Sequence, residues 1–450
     1  MRAESPGLTT YARRLGLFSG TMAVIGGIVG GGIFRTPAAV AERVGSPGLI
    51  LAVWVVGGIV ALIGALCFGE LGQRSPRAGG GYVYLREVWG ALPAFLYGWA
   101  LLLVIASGAI AAIAVTFADY TLALTGLPPR FTLPLAIAAI FFVSGINYLG
   151  VRPGAMVQNV FTLLKLLALA ALITVGLAAG PVPPSSEPTG SPGAFGAALV
   201  PVLFTYGGWQ QTNFIAEEMV NPERDLPRAL LLGVALVVAV YLLANVAYLR
   251  VLGASGLAAS TAPAADAAAA VLGPEGGTLI AAGIAVSTFG FLNLVILVTP
   301  RVFQAMAADG VFFPQLARLH PVHRTPAAAI GLQAVWASAL ALSGSFSQLV
   351  DYVAFADWVF FGLTVAGLFV YRHRDRQDGR PAEPGAFRTP GYPWTPALFV
   401  AAAGFVVASS VAANPRNALM GSGLLLLGVP VYWYWSRRTA RHPESPRIPE

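Results

Sequence analysis

The stretch GGIVGGG, residues 26–32, lies inside the first long apolar run of the chain, and five of its seven residues are glycine. Each glycine in a helix interior costs about 1 kcal/mol relative to alanine, so this stretch predicts an interrupted helix. A second stretch, TYGGWQQTN at residues 205–213, puts paired glycines and polar side chains inside another apolar run. The two stretches predict a helical chain with two breaks.

The composition indicates that much of this chain lies in a lipid bilayer. Of 450 residues, 56% are hydrophobic and only 10% are charged, whereas soluble chains carry about 25% charged residues. Runs of roughly 20 apolar residues, enough to cross a ~30 Å hydrocarbon core, occur at 49–68, 92–118, 229–249 and 395–413. They lack the alternation of a β-barrel. The fold class predicted is an all-α membrane protein.

Twelve transmembrane helices are predicted from the apolar runs. These spans 1–12 cover residues 16–44, 48–70, 91–118, 131–148, 155–180, 194–216, 229–252, 277–306, 327–344, 348–371, 395–412 and 417–436. They group into an N-terminal segment 1–15, a first repeat 16–180, a second repeat 194–371, two extra helices in 395–436 and a tail 437–450. The first apolar run is expected to be a retained helix and not a cleaved signal peptide, because many spans follow it.

The arginines indicate the orientation of the chain. With twelve spans both termini lie on one side, and of the arginines in the loops and at the span ends only Arg43, Arg130, Arg250 and Arg416 fall on the other side. Because positive residues accumulate in cytoplasmic loops, both termini are predicted to be cytoplasmic, with the protein in the cell (plasma or inner) membrane. The same pattern explains the net charge of +7 without a nucleic-acid partner.

The two glycine-rich breaks fall in spans 1 and 6, which would cross the membrane in opposite directions. Matched breaks in two halves indicate a transporter built as a 5+5 inverted repeat, the arrangement of the leucine-transporter fold, with a binding site between the breaks. Unwound backbone at membrane depth must line a cavity or meet a ligand. Two alternatives are a close-packing glycine face and a nucleotide-binding loop, whose G-x-G-x-x-G register fails at Arg35.

Lys165 is the only lysine in the chain, and it lies in the apolar stretch VFTLLKLLALAAL, residues 160–172. A charge there is costly and needs a partner or a purpose. An ammonium donates three hydrogen bonds, which suits the carbonyls freed by a helix break. Alternatively, Lys165 could carry a proton during transport, or extend to the membrane surface from near a helix end.

Four stretches of the chain resemble the amino acid–polyamine–organocation superfamily. They are GGIVGGGIF (26–34), GELGQRSPRAGGGYVYLREVWG (69–90), YGGWQQTNFIAEEMVNPERDLPRAL (206–230) and TPRVFQAMAADG (299–310). The third resembles the L-type amino acid transporters, including their bacterial relatives. The resemblance implies an alternating-access amino acid carrier with a ten-helix core and two additional helices, and it implies no cofactor.

The resemblance also implies a site for a zwitterionic amino acid, built from backbone amides, backbone carbonyls and a side-chain wall. The amides are those of Gly30, Gly31 and Gly32, the carbonyls are those of Ile28, Phe204 and Gly207, and the wall consists of Phe204, Trp209 and Gln210. Many relatives have a hydroxyl residue where this chain has Gly31. Recognition would therefore depend more on the backbone here.

Sodium-independent members of this superfamily carry a lysine in helix 5, where sodium-coupled relatives hold a metal ion. The resemblance therefore implies that Lys165 replaces sodium, with Ser287 and Thr288 as further acceptors, and that no metal is needed. Distant relatives close their outer side with an arginine–aspartate pair, here Arg35 with Asp357, although Arg35 could equally pair with Asp119. Charged loops could form inner ion pairs; they contain Glu70, Arg74, Arg77, Arg86, Glu87, Glu217, Glu218, Glu223 and Arg224.

The function predicted is sodium-independent exchange of neutral L-amino acids, because span 3 has no acid that would match a cationic side chain. The alternatives are proton-coupled symport through Lys165 and transport of cationic amino acids or polyamines. A channel would need a continuous polar pore, and an enzyme is not expected because His320, His323, His373 and His442 lie in loops. A nutrient sensor on this fold would have the same sequence. No cysteine follows span 3, so no disulfide-linked heavy subunit is expected.

Overall fold

The computed structural model describes residues 10–178, 192–344, 346–379 and 385–441. The outer parts of the predicted terminal segments, including His442, and the end of span 5 at 179–180 lie outside these ranges. Within them the chain is helical and contains no β-strand. The helices are α1 (Leu17–Ile28), α2 (Thr36–Val44), α3 (Pro47–Arg74), α4 (Gly81–Trp89), α5 (Ala91–Ala100), α6 (Ala106–Thr125), α7 (Thr132–Tyr148), α8 (Val151–Ala178), α9 (Pro192–Thr205), α10 (Pro222–Ala259), α11 (Pro263–Leu272), α12 (Pro274–Val298), α13 (Pro300–Ala308), α14 (Ala327–Ser343), α15 (Phe346–Gln377), α16 (Trp394–Ala413), α17 (Pro415–Leu426) and α18 (Gly428–Arg441).

The helical segments have the length and composition of a membrane protein. Nine of those in the described ranges are long and apolar enough to cross a bilayer, and α1, α11 and α14 are shorter apolar helices. Large apolar side chains such as Phe142, Leu342 and Leu419 are more than half exposed. A water-soluble surface rarely carries so many apolar groups, whereas a bilayer covers them.

Two short helices lie where the sequence predicts loops. Helix α4 follows Gly79 and Gly80, whose φ angles of 102° and 46° allow the chain to reverse after α3. Helix α11 begins with a proline in its first turn and ends at Gly273. Helices of nine and ten residues are too short to produce a spanning-length apolar run, so hydropathy does not reveal them.

Several predicted spans have different boundaries in the structure. Span 3 extends to Thr125 and contains a π-helical turn at Leu101–Ile105. Span 8 is divided between α12 and α13 at Thr299, because Pro300 has no N–H to continue the hydrogen-bond ladder. Span 12 is divided at Leu427 into α17 and α18.

Helix α1 occupies the centre of the bundle. It packs against α8, α10, α12 and the segment Trp209–Glu218. Its residues from Ala23 to Ile28 are all buried, and they belong to the main apolar core that joins most of the helices. The end of α1 therefore lies where a central site would be.

Candidate functional site

The first glycine-rich stretch interrupts the helix. Helix α1 ends at Ile28, a single 3-10 turn covers Gly32–Phe34, and α2 begins at Thr36. The N–H groups of Gly31 and Gly32 have no backbone acceptor among the described residues, and Gly31 is exposed. These are free donors at the start of a helical segment, where an anion is favoured.

The second stretch also leaves the α-helix. Helix α9 ends at Thr205, and a 3-10 helix runs over Trp209–Glu218. Between them Gly208 has a φ of 108°, a conformation open to glycine. Its N–H donates to Oε1 of Gln210 at 3.0 Å, so Gln210 stabilises the break. With 7% of its surface exposed, this side chain does not form the pocket wall that the sequence predicts.

The two breaks meet backbone to backbone. A Cβ atom on Gly208 would lie 2.1 Å from the carbonyl oxygen of Gly27, and one on Gly27 would lie 2.7 Å from that of Gly208. The hydroxyls of Thr36 and Thr205 are 2.8 Å apart, which joins the far sides of the two breaks. Glycine at 27 and 208 is therefore required by the crossing itself.

Lys165 lies beneath the first break and is 1% exposed. Its Nζ donates to the carbonyl oxygens of Val29 at 2.8 Å and Gly26 at 3.2 Å. The predicted contact between a buried ammonium and the end of α1 is therefore present. Two details differ from the prediction: Ser287 Oγ donates to Val29 O at 3.4 Å instead of accepting from the lysine, and Thr288 bonds to Ile284 O of its own helix.

Two carbonyls predicted to meet the substrate amine already accept hydrogen bonds. The oxygen of Ile28 accepts from the Tyr241 hydroxyl and from Gly30 N–H, both at 2.9 Å. The oxygen of Phe204 accepts from Gly207 N–H at 3.0 Å, which leaves one lone pair. Tyr241 was missed because a tyrosine in an apolar span gives no local signal of its partner.

The aromatic wall differs from the expected one. Phe204 is 38% exposed, and its ring lies 6.1 Å from that of Trp358. Trp209 is only 3% exposed and packs edge-on against Phe68 of α3 at 5.0 Å and Phe399 of α16 at 6.2 Å. Trp209 thus belongs to the core in this conformation, whereas Phe204 is partly exposed.

A chain of buried amides continues from Lys165 along α8. Gln158 Nε2 donates to Thr162 Oγ1, Asn293 Nδ2 donates to Gln158 Oε1, and Asn147 Nδ2 donates to Asn293 Oδ1, each at 3.1 Å. Residues 158, 162 and 165 follow helical spacing on one face of α8. That spacing was the sequence signal for this face.

Arg35 and Asp357 are not paired here. Arg35 is exposed and Asp357 is half-buried on α15, and no ion pair within the described ranges joins them. The alternative partner, Asp119, accepts from the hydroxyl of Thr132 at 2.9 Å. The predicted outer pair is therefore not formed in this structure.

A buried ion pair lies at the end of the 3-10 helix that follows the second break. Glu218 Oε1 accepts from Arg301 Nε at 2.7 Å, and both side chains are at most 1% exposed. The Arg301 guanidinium lies 5.9 Å from the ring of Tyr11, and Leu15 N–H donates to Glu218 O at 2.9 Å. The N-terminal segment thus covers this pair. Glu218 was one of the charges predicted for inner ion pairs, whereas Arg301, which lies inside predicted span 8, was not among them.

Other charges predicted for an inner cluster hold the loop segments together. Glu70 binds Arg372 at 2.7 Å and Arg74 at 3.1 Å. The remaining pairs are Arg74 with Asp375, Arg77 with Glu87, Arg86 with Asp309, and Arg224 with Asp225, while Glu217 accepts from the N–H of Ala78. Glu223 forms none of the ion pairs found in the described ranges.

Asp309 follows α13 and forms an ion pair with the Arg86 guanidinium. Its Oδ2 also accepts a hydrogen bond from the hydroxyl of Tyr82 at 2.8 Å. Burial raises the pKa of Asp309 above its ordinary value, and the charge of Arg86 and the Tyr82 hydrogen bond act in the opposite direction. The carboxyl is thus held in place between α4 and the end of α13.

Fold and site together define a multi-pass membrane protein whose two helix breaks meet above a buried lysine. The model of a family described as amino acid permease matches residues 15–433. The chain belongs to this family, within the amino acid–polyamine–organocation superfamily.

Several curated proteins are similar over nearly the whole chain. The serine/threonine exchanger SteT of Bacillus subtilis (strain 168) is 34% identical over 445 residues, covering 98% of this chain and 100% of the relative. The human b(0,+)-type amino acid transporter 1 is 36% identical over 392 residues, 85% of this chain and 80% of the relative. The human large neutral amino acids transporter small subunit 2 is 34% identical, with 95% and 81% covered.

Proposed function

We propose that this chain is a sodium-independent exchanger of neutral L-amino acids that works by alternating access. Membership of a transporter family supports a carrier and not an enzyme. The observation that carries the proposal is the pair of hydrogen bonds from Lys165 Nζ to Val29 O and Gly26 O. A fixed ammonium on these carbonyls supplies the positive charge that a bound sodium ion would otherwise supply, so no ion gradient is needed to organise the site.

The substrate carboxylate would bind the N–H groups of Gly31 and Gly32, which have no backbone acceptor in the described ranges. The substrate ammonium would bind the remaining lone pair of Phe204 O and the carbonyl of Gly207. The substrate side chain would lie against the exposed ring of Phe204. Such a site recognises the shared part of every α-amino acid through backbone groups.

Twelve spans, a 5+5 inverted repeat and cytoplasmic termini complete the proposed architecture. Helices α1 and α2 together make the first span, α12 and α13 the eighth, and α17 and α18 the twelfth. With this orientation the exposed Gly31 faces outward and the buried Glu218–Arg301 pair closes the cytoplasmic side. The conformation is then outward-facing. In exchange, the carrier changes between its outward-facing and inward-facing conformations only with a substrate bound.

A disulfide-linked heavy subunit is not part of the proposal. Cys67 is the only cysteine in the sequence, and it is buried inside α3. It cannot reach a partner thiol without unfolding that helix.

The test is uptake of labelled serine or leucine into sodium-free proteoliposomes, either empty or preloaded with unlabelled amino acid, with and without an inward proton gradient. Exchange predicts uptake into preloaded vesicles only, independent of the gradient. Uptake into empty vesicles driven by the proton gradient would replace exchange by proton-coupled symport. Uptake only after sodium is added would contradict the role given to Lys165.

Asp357 favours a second candidate, the transport of cationic amino acids. This carboxylate is half-buried beside Trp358, whose ring touches that of Phe204, and it forms no ion pair with the described residues. Competition of labelled serine uptake by arginine and by putrescine tests it. Loss of arginine competition in Asp357→Asn, with serine exchange retained, would support this candidate.

A further inference from the structure

A polar cavity lies on the face that carries the N-terminal segment, away from the helix breaks. It has a volume of about 80 Å³, several times what one water requires. Its charged lining consists of Arg14, Arg152 and Arg324, and His323 also lines it. We refer to it as the arginine pocket.

The arginine pocket has positive charge without a matching negative charge. No acidic residue lines it, and none of its three guanidinium groups has a carboxylate within 4.0 Å in the described part of the chain. Elsewhere arginines such as Arg301 and Arg372 are held by carboxylates. Three like charges around one cavity repel one another, so a bound anion would relieve that repulsion.

The backbone of Arg324, at the arginine pocket, has an unfavourable conformation for a non-glycine residue. Its φ of 56° is the only positive value of a non-glycine residue in the described ranges, and such a conformation costs on the order of 1–3 kcal/mol. A tight turn fixes it: Arg324 N–H donates to His320 O at 2.9 Å, and His320 N–H donates to Thr325 O at 2.8 Å. Backbone strain of this kind concentrates at ligand sites.

The position of the arginine pocket is that of a membrane interface. It lies where α7 ends and α8 begins, and both helices are long and apolar enough to span a bilayer. Leu149 and Val322, which also line it, are 55% and 77% exposed. Arginines beside exposed apolar side chains at such a boundary suit a phospholipid, whose phosphate meets the guanidinium groups while its glycerol and acyl parts cover the apolar ones.

We propose that the arginine pocket binds the phosphate of an anionic membrane lipid headgroup between Arg14, Arg152 and Arg324. The three arginines come from the N-terminal segment, from the start of α8 and from the loop before α14. A bound phosphate therefore ties these segments together. Since Arg14 N–H also donates to Glu218 O at 2.8 Å, the lipid would stabilise the contact between the N-terminal segment and the second break.

The test is lipid binding to the purified full chain in detergent, measured by native mass spectrometry and by thermal unfolding. Phosphatidylglycerol, phosphatidylcholine and inorganic phosphate are compared. Wild type should retain phosphatidylglycerol in preference to phosphatidylcholine, and each of Arg14→Gln, Arg152→Gln and Arg324→Gln should weaken that binding by about tenfold. Arg13→Gln is the matched control, because Arg13 is exposed next to Arg14 but does not line the pocket.

Arg324→Gly separates ligand binding from folding. Glycine removes the strain at φ 56°, and both Arg324→Gly and Arg324→Gln lose the bond from Arg324 Nη1 to Thr10 O at 3.1 Å. Without lipid the unfolding temperature of Arg324→Gly should therefore equal or exceed that of Arg324→Gln, while its affinity for phosphatidylglycerol falls as in Arg324→Gln. Equal lipid binding by Arg13→Gln and the three pocket variants would overturn the site. Binding of inorganic phosphate with the same variant dependence, but without discrimination between the two lipids, would overturn the lipid assignment.

Discussion

At the scale of single residues, we expect the loss of the Lys165 ammonium to impair exchange. Lys165→Met keeps most of the length of the side chain but removes the ammonium donor from Val29 O and Gly26 O. Only the longer contact from Ser287 Oγ then remains at Val29 O. An unsatisfied buried group costs about 1–3 kcal/mol, and about 1.4 kcal/mol corresponds to a tenfold change in binding. Exchange in proteoliposomes should fall at least about tenfold.

Ser287→Ala is the comparison for Lys165. Ser287 Oγ contacts the same Val29 oxygen, but at 3.4 Å, so its loss should reduce exchange far less. Both variants need an intact size-exclusion profile. Exchange at the wild-type rate by Lys165→Met would remove the fixed-cation role.

We expect one substitution at Gly31 to lower the KM for serine exchange. A Cβ atom on Gly31 would meet nothing within 4 Å, so Gly31→Ser places a hydroxyl beside the position proposed for the substrate carboxylate. One net hydrogen bond is worth about 0.5–1.5 kcal/mol, so the KM for serine exchange should fall by about two- to tenfold.

Gly32→Ser is the matched control for Gly31→Ser. Its Cβ would lie 2.7 Å from the Thr205 side chain, so this variant should lose activity. A rise in KM of the same size in both variants would show that the carboxylate does not bind at this turn.

At the scale of elements, the crossing of the two breaks determines whether the site forms. Gly208→Ala would place its Cβ 2.1 Å from Gly27 O at a φ of 108°, and Gly27→Ala would also collide with backbone. We expect both variants to unfold at lower temperature and to lose exchange activity.

Gly331→Ala in α14 is the control for the crossing, since nothing lies within 4 Å of its added Cβ. Alanine is favoured over glycine in a helix by about 1 kcal/mol, so this variant should be at least as stable as the wild type. Gly208→Ala with wild-type stability and exchange would mean that the breaks do not meet as described.

At the scale of the whole molecule, the Glu218–Arg301 pair ties the N-terminal segment, the second break and α13 together. Glu218→Gln leaves the Arg301 guanidinium buried without a countercharge, and breaking such a pair costs about 3–5 kcal/mol. The unfolding temperature in detergent should fall clearly.

The Arg86–Asp309 pair, in which 42% of the arginine side chain but only 13% of the aspartate side chain is accessible, is the more exposed reference for Glu218–Arg301. Arg86→Gln should cost only about 0–1 kcal/mol. In a double-mutant cycle, Glu218→Gln and Arg301→Gln should be less harmful together than the sum of the two single changes. Additive losses would mean that the two groups do not interact.

The sequence by itself determined the class of the protein, the two breaks and the unusual position of Lys165. These features depend on local physics. An apolar run long enough to span a bilayer indicates burial in lipid wherever it lies in the sequence. Clustered glycines, as at 26–32 and 205–213, weaken a helix whatever packs against it. A lone lysine among leucines is costly in any packing. The same local logic missed α4 and α11, which are too short to be recognised by hydropathy.

Only the tertiary structure decided which groups meet. The Tyr241 hydroxyl donates to the Ile28 carbonyl, and Trp209 packs in the core. Gln210, which was expected in the wall of the substrate pocket, accepts a hydrogen bond from the Gly208 N–H at the second break. The arginine pocket likewise joins residues 14, 152 and 324, which are distant in sequence. A hydrogen-bond partner is selected by the rotation and depth of one helix against another, and these are fixed by the packing of the entire bundle rather than by any single segment.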